Sequence, residues 1–254
     1  MSEHTADRQL RERARAVIPG GMYGHQSAGS LPAAYPQFMR GGRGARVWDV
    51  DGNEYVDLMC SYGPVVLGHQ HPAVEAAAAA QAALGDCQNG PGPVMVDLAE
   101  LLVQTVRHAD WAMFAKNGTD ATTMCCTIAR AQTGRRRILV AAGAYHGAAP
   151  WCTPRPAGTT PEDRANLGFY TFNDLPSVQR AAGAGDDLAA RSWDLAVSYT
   201  GPPVMPYLTF AGDRDHELAG VFAAQALRGG VYLHPRHNWF VSAAMTGGDL
   251  ALVL

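Results

Sequence analysis

Lysine is almost missing from this chain of 254 residues: of twenty basic residues, nineteen are arginine and one, Lys116, is lysine. Charge of either sign is scarce, with 17% of residues charged, 47% apolar and a formal charge of −3. A protein that tracks phosphates along a nucleic acid carries a basic surface, so no nucleic-acid partner is expected. Long apolar runs are lacking too. The longest pure alanine run, Ala76 to Ala80, is far short of the about twenty residues that cross a bilayer, so no membrane partner is expected. The five cysteines (Cys60, Cys87, Cys125, Cys126 and Cys152) make an odd count with no C-x-x-C pair, which argues against a disulfide framework. They are expected to be small core residues. The opening MSEHTADRQLRERARAV has no apolar stretch and carries Glu3, Asp7 and Glu12 among its arginines. It resembles neither a secretory signal nor a transit peptide, and a cytoplasmic protein is expected. No G-x-S-x-G, P-loop or G-x-G-x-x-G is present. His69 and His71, and likewise His234 and His237, lack the spacing and the nearby carboxylate of zinc ligands. They read as solvated or turn-forming histidines, and no metal is expected.

The elements that are present follow a legible order. Residues 8–17 read as a helix ended by Pro19-Gly20-Gly21. RVWDVDGNEYVDL, from Arg46 to Leu58, sets Asp51-Gly52 between two alternating segments, a strong hairpin signal. Pro72 opens an alanine-rich helix to Leu84, and Val94 to Val106 carries a helical apolar stripe. Trp111–Ala115 reads as a short buried strand, followed by a turn at Asn117-Gly118-Thr119, a helix to Gln132 and a strand at 138–142. Such a strand–loop–helix–strand unit points to a parallel α/β sheet. Further strands are expected at 169–172, 208–211 and 231–233, with Asp174 capping one helix and Asp213 or Asp215 another. The last third reads as a small α+β unit.

Two segments carry candidate chemistry. The Asn117-Gly118-Thr119 turn at a helix start offers unpaired amides and the positive end of the helix dipole, a ready anion site. Gly118 lets backbone approach a phosphate and Thr119 can donate to it; taken alone, the same turn equally describes an ordinary capped helix. Tyr145-His146-Gly147 follows the next strand, at the sheet edge where α/β proteins bind ligands. Its tyrosine can stack on a planar cofactor or simply pack in its loop.

Taken together, Pro19-Gly20-Gly21, RVWDVDGNEYVDL, SYGPVVLGHQHP, KNGTDAT, AR-x-x-TGR and AYHG resemble the class III, fold-type I aminotransferases. Glutamate-1-semialdehyde aminomutase and the β-amino-acid aminotransferases are the nearest subgroup. GGVYLHPRHNWFVSAAMT resembles that family's C-terminal small domain. The resemblance implies an α/β protein with a partial parallel sheet and flanking helices, plus a small α+β domain drawn from both termini. Residues 1–60 and 191–254 would form the small domain, and 61–190 part of the cofactor-binding domain. It further implies pyridoxal 5'-phosphate and an amino acid or amino-aldehyde substrate. Asn117, Gly118 and Thr119 would hold the phosphate, Tyr145 would stack on the ring beside His146, and Tyr62 would line the substrate pocket.

The match also has a gap. Relatives carry, between the AYHG region and the C-terminal domain, several strands, an acid for the pyridine nitrogen and the Schiff-base lysine. Here 183–190 runs almost directly into RSWDLAVSYTGPP, and no lysine follows Lys116. The missing segment is expected near Ala190–Arg191. An amine is needed to anchor the cofactor and move the proton, and arginine cannot form the imine. The catalytic residue is therefore left unknown, with Tyr62, Tyr145 and His146 as weak candidates. Two alternatives stand beside a weakened transaminase: a cofactor-independent enzyme using those residues, and a non-catalytic partner of a full-length relative. The exposed sheet edge left by the gap implies a homodimer or a partner subunit that covers it. The loop from Met22 to Ser30 holds Tyr23, His25 and Gln26 but no arginine, so no carboxylate clamp is expected there.

Overall fold

The computed structural model describes residues 5–22, 29, 31–32, 34–85, 88–183, 217–235 and 240–253. In chain order its elements are α1 (Thr5–Val17), β1 (Met39–Arg43), β2 (Arg46–Asp49), β3 (Glu54–Asp57), α2 (Pro72–Ala82), α3 (Pro93–Thr105) and α4 (Gly118–Thr133). They continue with β4 (Ile138–Ala141), α5 (Pro161–Arg164), β5 (Leu167–Tyr170), α6 (Leu175–Gly183), α7 (Glu217–Arg228), β6 (Val231–Tyr232) and α8 (Gly247–Val253). The chain divides into two units, Met1–Cys87 with Gly201–Leu254, and Gln88–Thr200.

The first unit is built on a sheet of order β1-β2-β3-β6. The first three strands are antiparallel neighbours, and β6 joins β3 in parallel through Val56↔Val231 and Asp57↔Tyr232. The hairpin between β2 and β3 turns at Asp51-Gly52, where Gly52 takes φ 88°, a conformation that glycine adopts without steric cost. Buried Asp49 fixes that turn by accepting from the Asn53 amide, the Asn53 side chain and the Tyr55 hydroxyl, each at 2.8 Å. Asp51 in turn accepts from the Ala6 and Asp7 amides at 2.8 and 3.0 Å and so caps α1. The C-terminal residues complete the core. Leu227 packs with Tyr35, Val47 and Tyr55, while Ala223, one turn earlier on α7, packs with Leu58, Val231 and Leu233.

In the second unit β4 and β5 form a parallel pair from Ile138↔Leu167 to Ala141↔Tyr170. α4 lays Cys126 against Ile138 and Val140, with Trp151 and Leu167 beside them. Asn117 caps the start of α4, and Gly134, at φ 68°, ends it in the left-handed conformation.

Two expectations are corrected. Residues 111–115 form no strand: they are irregular, with Trp111 61% exposed and Met113 55% exposed. A buried strand needs a neighbour for its amides, and no described strand lies against this segment. The parallel pairing is instead β4 with β5. Cys125 is exposed, whereas Cys60, Cys126 and Cys152 are buried as expected. Adjacent positions on α4 point to different faces, so only one of Cys125 and Cys126 reaches the core. The expected strand at 208–211, the Asp213 and Asp215 caps, the Ala190–Arg191 junction, Cys87 and His237 lie outside the described residues.

Candidate functional site

The turn that precedes α4 is built as an open cradle. Asn117 Oδ1 accepts from the Asp120 amide at 3.0 Å, while Asn117 Nδ2 donates to the Asp120 carboxylate at 2.9 Å. The Ala121 amide donates to the Asn117 carbonyl at 3.1 Å. The Gly118 and Thr119 amides have no acceptor among the described residues, and a Cβ at Gly118 would meet nothing within 4 Å. Free amides, open space and the positive helix end together suit a phosphate group.

The loop after β4 closes on this turn. Thr122 Oγ1 donates to the His146 carbonyl at 2.8 Å, and the Ala148 amide donates to Thr119 Oγ1 at 3.2 Å. Gly147, at φ 131°, fits only because it lacks a Cβ, which would stand 2.7 Å from Thr119 Oγ1 and 3.0 Å from Thr119 Cα. Trp151 Nε1 donates to Thr123 Oγ1 at 3.0 Å and pins the far end of the loop. Asn117, Gly118, Thr119, Tyr145 and His146 thus come together, with the Tyr145 side chain exposed. Lys116 is exposed immediately before the cap.

Tyr62 belongs to the first unit. It ends a run of three non-glycine residues with positive φ: Cys60 at 45°, Ser61 at 53° and Tyr62 at 66°. Left-handed backbone is costly for such residues and persists where the surroundings enforce it. Buried Asp57 supplies the enforcement, accepting from the Met59 amide at 2.7 Å and the Cys60 amide at 3.1 Å. Its other oxygen lies 2.6 Å from His69 Nε2. The His69 ring occupies space that a Cβ at Gly42 would enter, 2.7 Å away. Burial, and then the Asp57 charge, push the Cys60 thiol up to about 12. Tyr62, Asp57 and His69 line a cavity of about 350 Å³ with Tyr35, Gln37 and His234 among its other walls.

This arrangement was not legible from residue spacing. His69 stands apart from any ligand pattern, and its carboxylate partner reaches it across the sheet rather than along the chain. The paired glycines Gly41-Gly42 on a strand were the available signal, since a glycine there marks a close approach. Among the described residues no group of three His, Cys, Asp or Glu is arranged to hold a metal ion. No helix of the described residues is long and apolar enough to cross a membrane.

Comparison with known proteins identifies the architecture. An aminopentol aminotransferase of Sphingopyxis macrogoltabida is 54% identical over 191 residues, 75% of this chain and 45% of that protein. A glutamate-1-semialdehyde 2,1-aminomutase of Chloroflexus aggregans is 33% identical over 232 residues, 87% of this chain and 51% of that protein. The chain therefore spans about half the length of the curated relatives it matches. Among solved structures, the PLP internal aldimine form of the FumI protein from Sphingopyxis sp. MTA144 superposes with a TM-score of 0.88 at 34% identity. That match covers 98% of this chain and 94% of the other. The model of the class-III aminotransferases matches residues 30–184, more than half of the sequence, and the chain belongs to that family.

Proposed function

We propose that this chain is a pyridoxal-phosphate protein of the aminotransferase and aminomutase type that handles an amino substrate, with the phosphate held at the start of α4. The observation that carries the proposal is the pair of acceptor-less amides at Gly118 and Thr119 over open space. Bound there, the cofactor supplies an electrophilic carbonyl for the substrate amine and a ring that withdraws charge from the adjoining carbon. The Gly118 and Thr119 amides would hold its phosphate, and the Asn117 side chain keeps the turn in shape. Tyr145 and His146, on the loop that closes on this turn, would lie beside it. The acid–base group of the chemical step is not assigned.

The single lysine limits what the chain does by itself. Lys116 is exposed before the cap, and no other lysine is present. We read the chain as lacking a central segment near Ala190–Arg191 that bears the anchoring amine; the family match ending at residue 184 supports this. Turnover by the isolated chain is accordingly slow, and binding is non-covalent. A homodimer or partner subunit covers the unpaired apolar surface. Titrating the chain with pyridoxal phosphate while following its absorption and the melting temperature tests the reading. The expected result is saturable binding that borohydride reduction does not make permanent. Unchanged absorption with unchanged melting overturns it.

A further inference from the structure

The loop that closes on the α4 turn is held in place by an arginine that no motif of the sequence marks. Arg164 ends α5, and its Nη1 donates to the Pro150, Trp151 and Thr153 carbonyls at 3.3, 3.4 and 3.0 Å. A full charge aimed at three carbonyls of one loop fixes its backbone more firmly than neutral bonds do. The guanidinium also lies 5.7 Å from the centre of the Phe169 ring on β5. The mount of Arg164 is fastened at both ends. The Thr160 amide and hydroxyl donate to Asp163 at 2.8 and 3.2 Å, and β5 follows at Leu167, paired with β4. Within the loop, the Cys152 and Thr153 amides donate to the Ala149 carbonyl at 2.9 and 2.8 Å. The clamped residues are thus bonded to the stretch that meets Thr119.

We infer that Arg164 is a positioning residue for the anion site before α4, acting through the loop it clamps. The Ala148 amide donates to Thr119 Oγ1, which occupies the oxygen as an acceptor and leaves its O–H to donate. That proton and the Gly118 and Thr119 amides then face an anion together. Released from Arg164, the three loop carbonyls turn to water and Ala148 leaves Thr119. The hydroxyl is then free to rotate, and the site loses its fixed donor. That the anion is the cofactor phosphate rests on the proposed function; the hold of Arg164 on the loop does not.

Two variants of the full chain test the inference, read by pyridoxal phosphate titration and by hydrogen exchange. Arg164→Met keeps an unbranched stem over Phe169 and removes the charge and the donors. It is expected to bind pyridoxal phosphate at least about ten-fold more weakly than the wild-type chain. Exchange at the Ala148, Cys152 and Thr153 amides should speed at least about ten-fold, while the β4 and β5 amides keep their rates. Arg164→Lys, which returns a charge and donors, is expected to recover most of the lost affinity, ending about two- to five-fold below wild type. It serves alone if the first variant fails to fold. Unchanged binding, no rescue by lysine, or faster exchange spread equally over β4 and β5 overturns the inference. A wild-type chain that does not bind pyridoxal phosphate removes the proposed function. Arg164 is then judged by exchange alone, and unchanged loop rates in the folded variants remove the clamp as well.

Discussion

Asp7 shows how much one side chain can hold. It is fully buried, and its carboxylate accepts from the Gln37 and Phe38 amides at 2.8 and 3.0 Å while pairing with Arg11 at 2.5 Å. Arg11 also donates to the Tyr35 carbonyl, so α1 is tied to the segment that enters β1. Replacing one partner of a buried pair strands the others without compensation. Asp7→Ala is expected to cost about 3 kcal/mol, read from the urea midpoint. A loss below about 1 kcal/mol would mean that water reaches these amides. Titration at single residues gives a second expectation. Burial raises the Cys60, Cys126 and Cys152 thiols, and burial followed by the Asp49 hydrogen bond raises the Tyr55 hydroxyl. A group that ionises later when folded stabilises the fold below its unfolded value, about 8.5 for a thiol, and loses that contribution as pH rises. The melting temperature should therefore fall steadily above about pH 8.5, well before Cys60 ionises in the folded chain. Exposed Cys125 should alkylate long before Cys60, Cys126 and Cys152 in peptide mapping at neutral pH. Equal rates in the folded protein would contradict the burial pattern.

At the scale of elements, local chemistry decides where chains turn and end, and this is the part that sequence reading recovers. Asp51-Gly52, Pro72 and Gly134 each act through their own backbone geometry, so their hairpin, helix start and helix stop are legible without a partner. Neighbours through space are not. The 111–115 segment has a strand's composition, but among the described residues no strand lies beside it, and the Asp57–His69 contact depends on a missing Cβ in another strand. At the turn before α4 the residues were legible as a motif, but the closing of the 145–148 loop on Thr119 was not. That closure is testable. Gly147→Ala places a Cβ against Thr119 and forces φ away from 131°. Pyridoxal phosphate binding is expected to weaken at least about ten-fold, a loss of about 1.4 kcal/mol, while β4 and β5 stay paired. Full binding by this variant would mean that the loop is not part of the site. α8 is held by a reciprocal cap: the Thr246 amide and hydroxyl donate to Asp249 at 2.8 Å, and the Asp249 amide donates to Thr246 at 3.3 Å. These bonds, and then Arg46 on β2, hold the Asp249 carboxyl below the usual carboxylate range. The ion pair thereby fastens the C-terminal helix to the N-terminal sheet.

Over the whole molecule, apolar surface is distributed in a way that a folded chain by itself does not resolve. α2 and α3 contain no buried residue, although α3 is rich in Val and Leu. Val94, Val96, Leu98 and Leu101 are all exposed, as are Trp111 and Phe172. The helical stripe was legible in the sequence because periodicity is local; what covers it was not, because that depends on chain lying elsewhere. The four α3 side chains are 45–58% exposed, so each forgoes about half of the ~1.5–3 kcal/mol that full burial of such a side chain contributes. An exposed apolar helix face of this kind marks an interaction surface or an aggregation hazard. The chain is therefore expected to sediment as a dimer or larger species rather than at its monomer mass of 27.0 kDa. Replacing Leu98 and Leu101 with Glu, two exposed positions on one helix, should shift it toward monomer without lowering the melting temperature. A wild-type monomer that fails to bind a hydrophobic dye would show that this surface is already covered within one chain, and would remove the need for a partner.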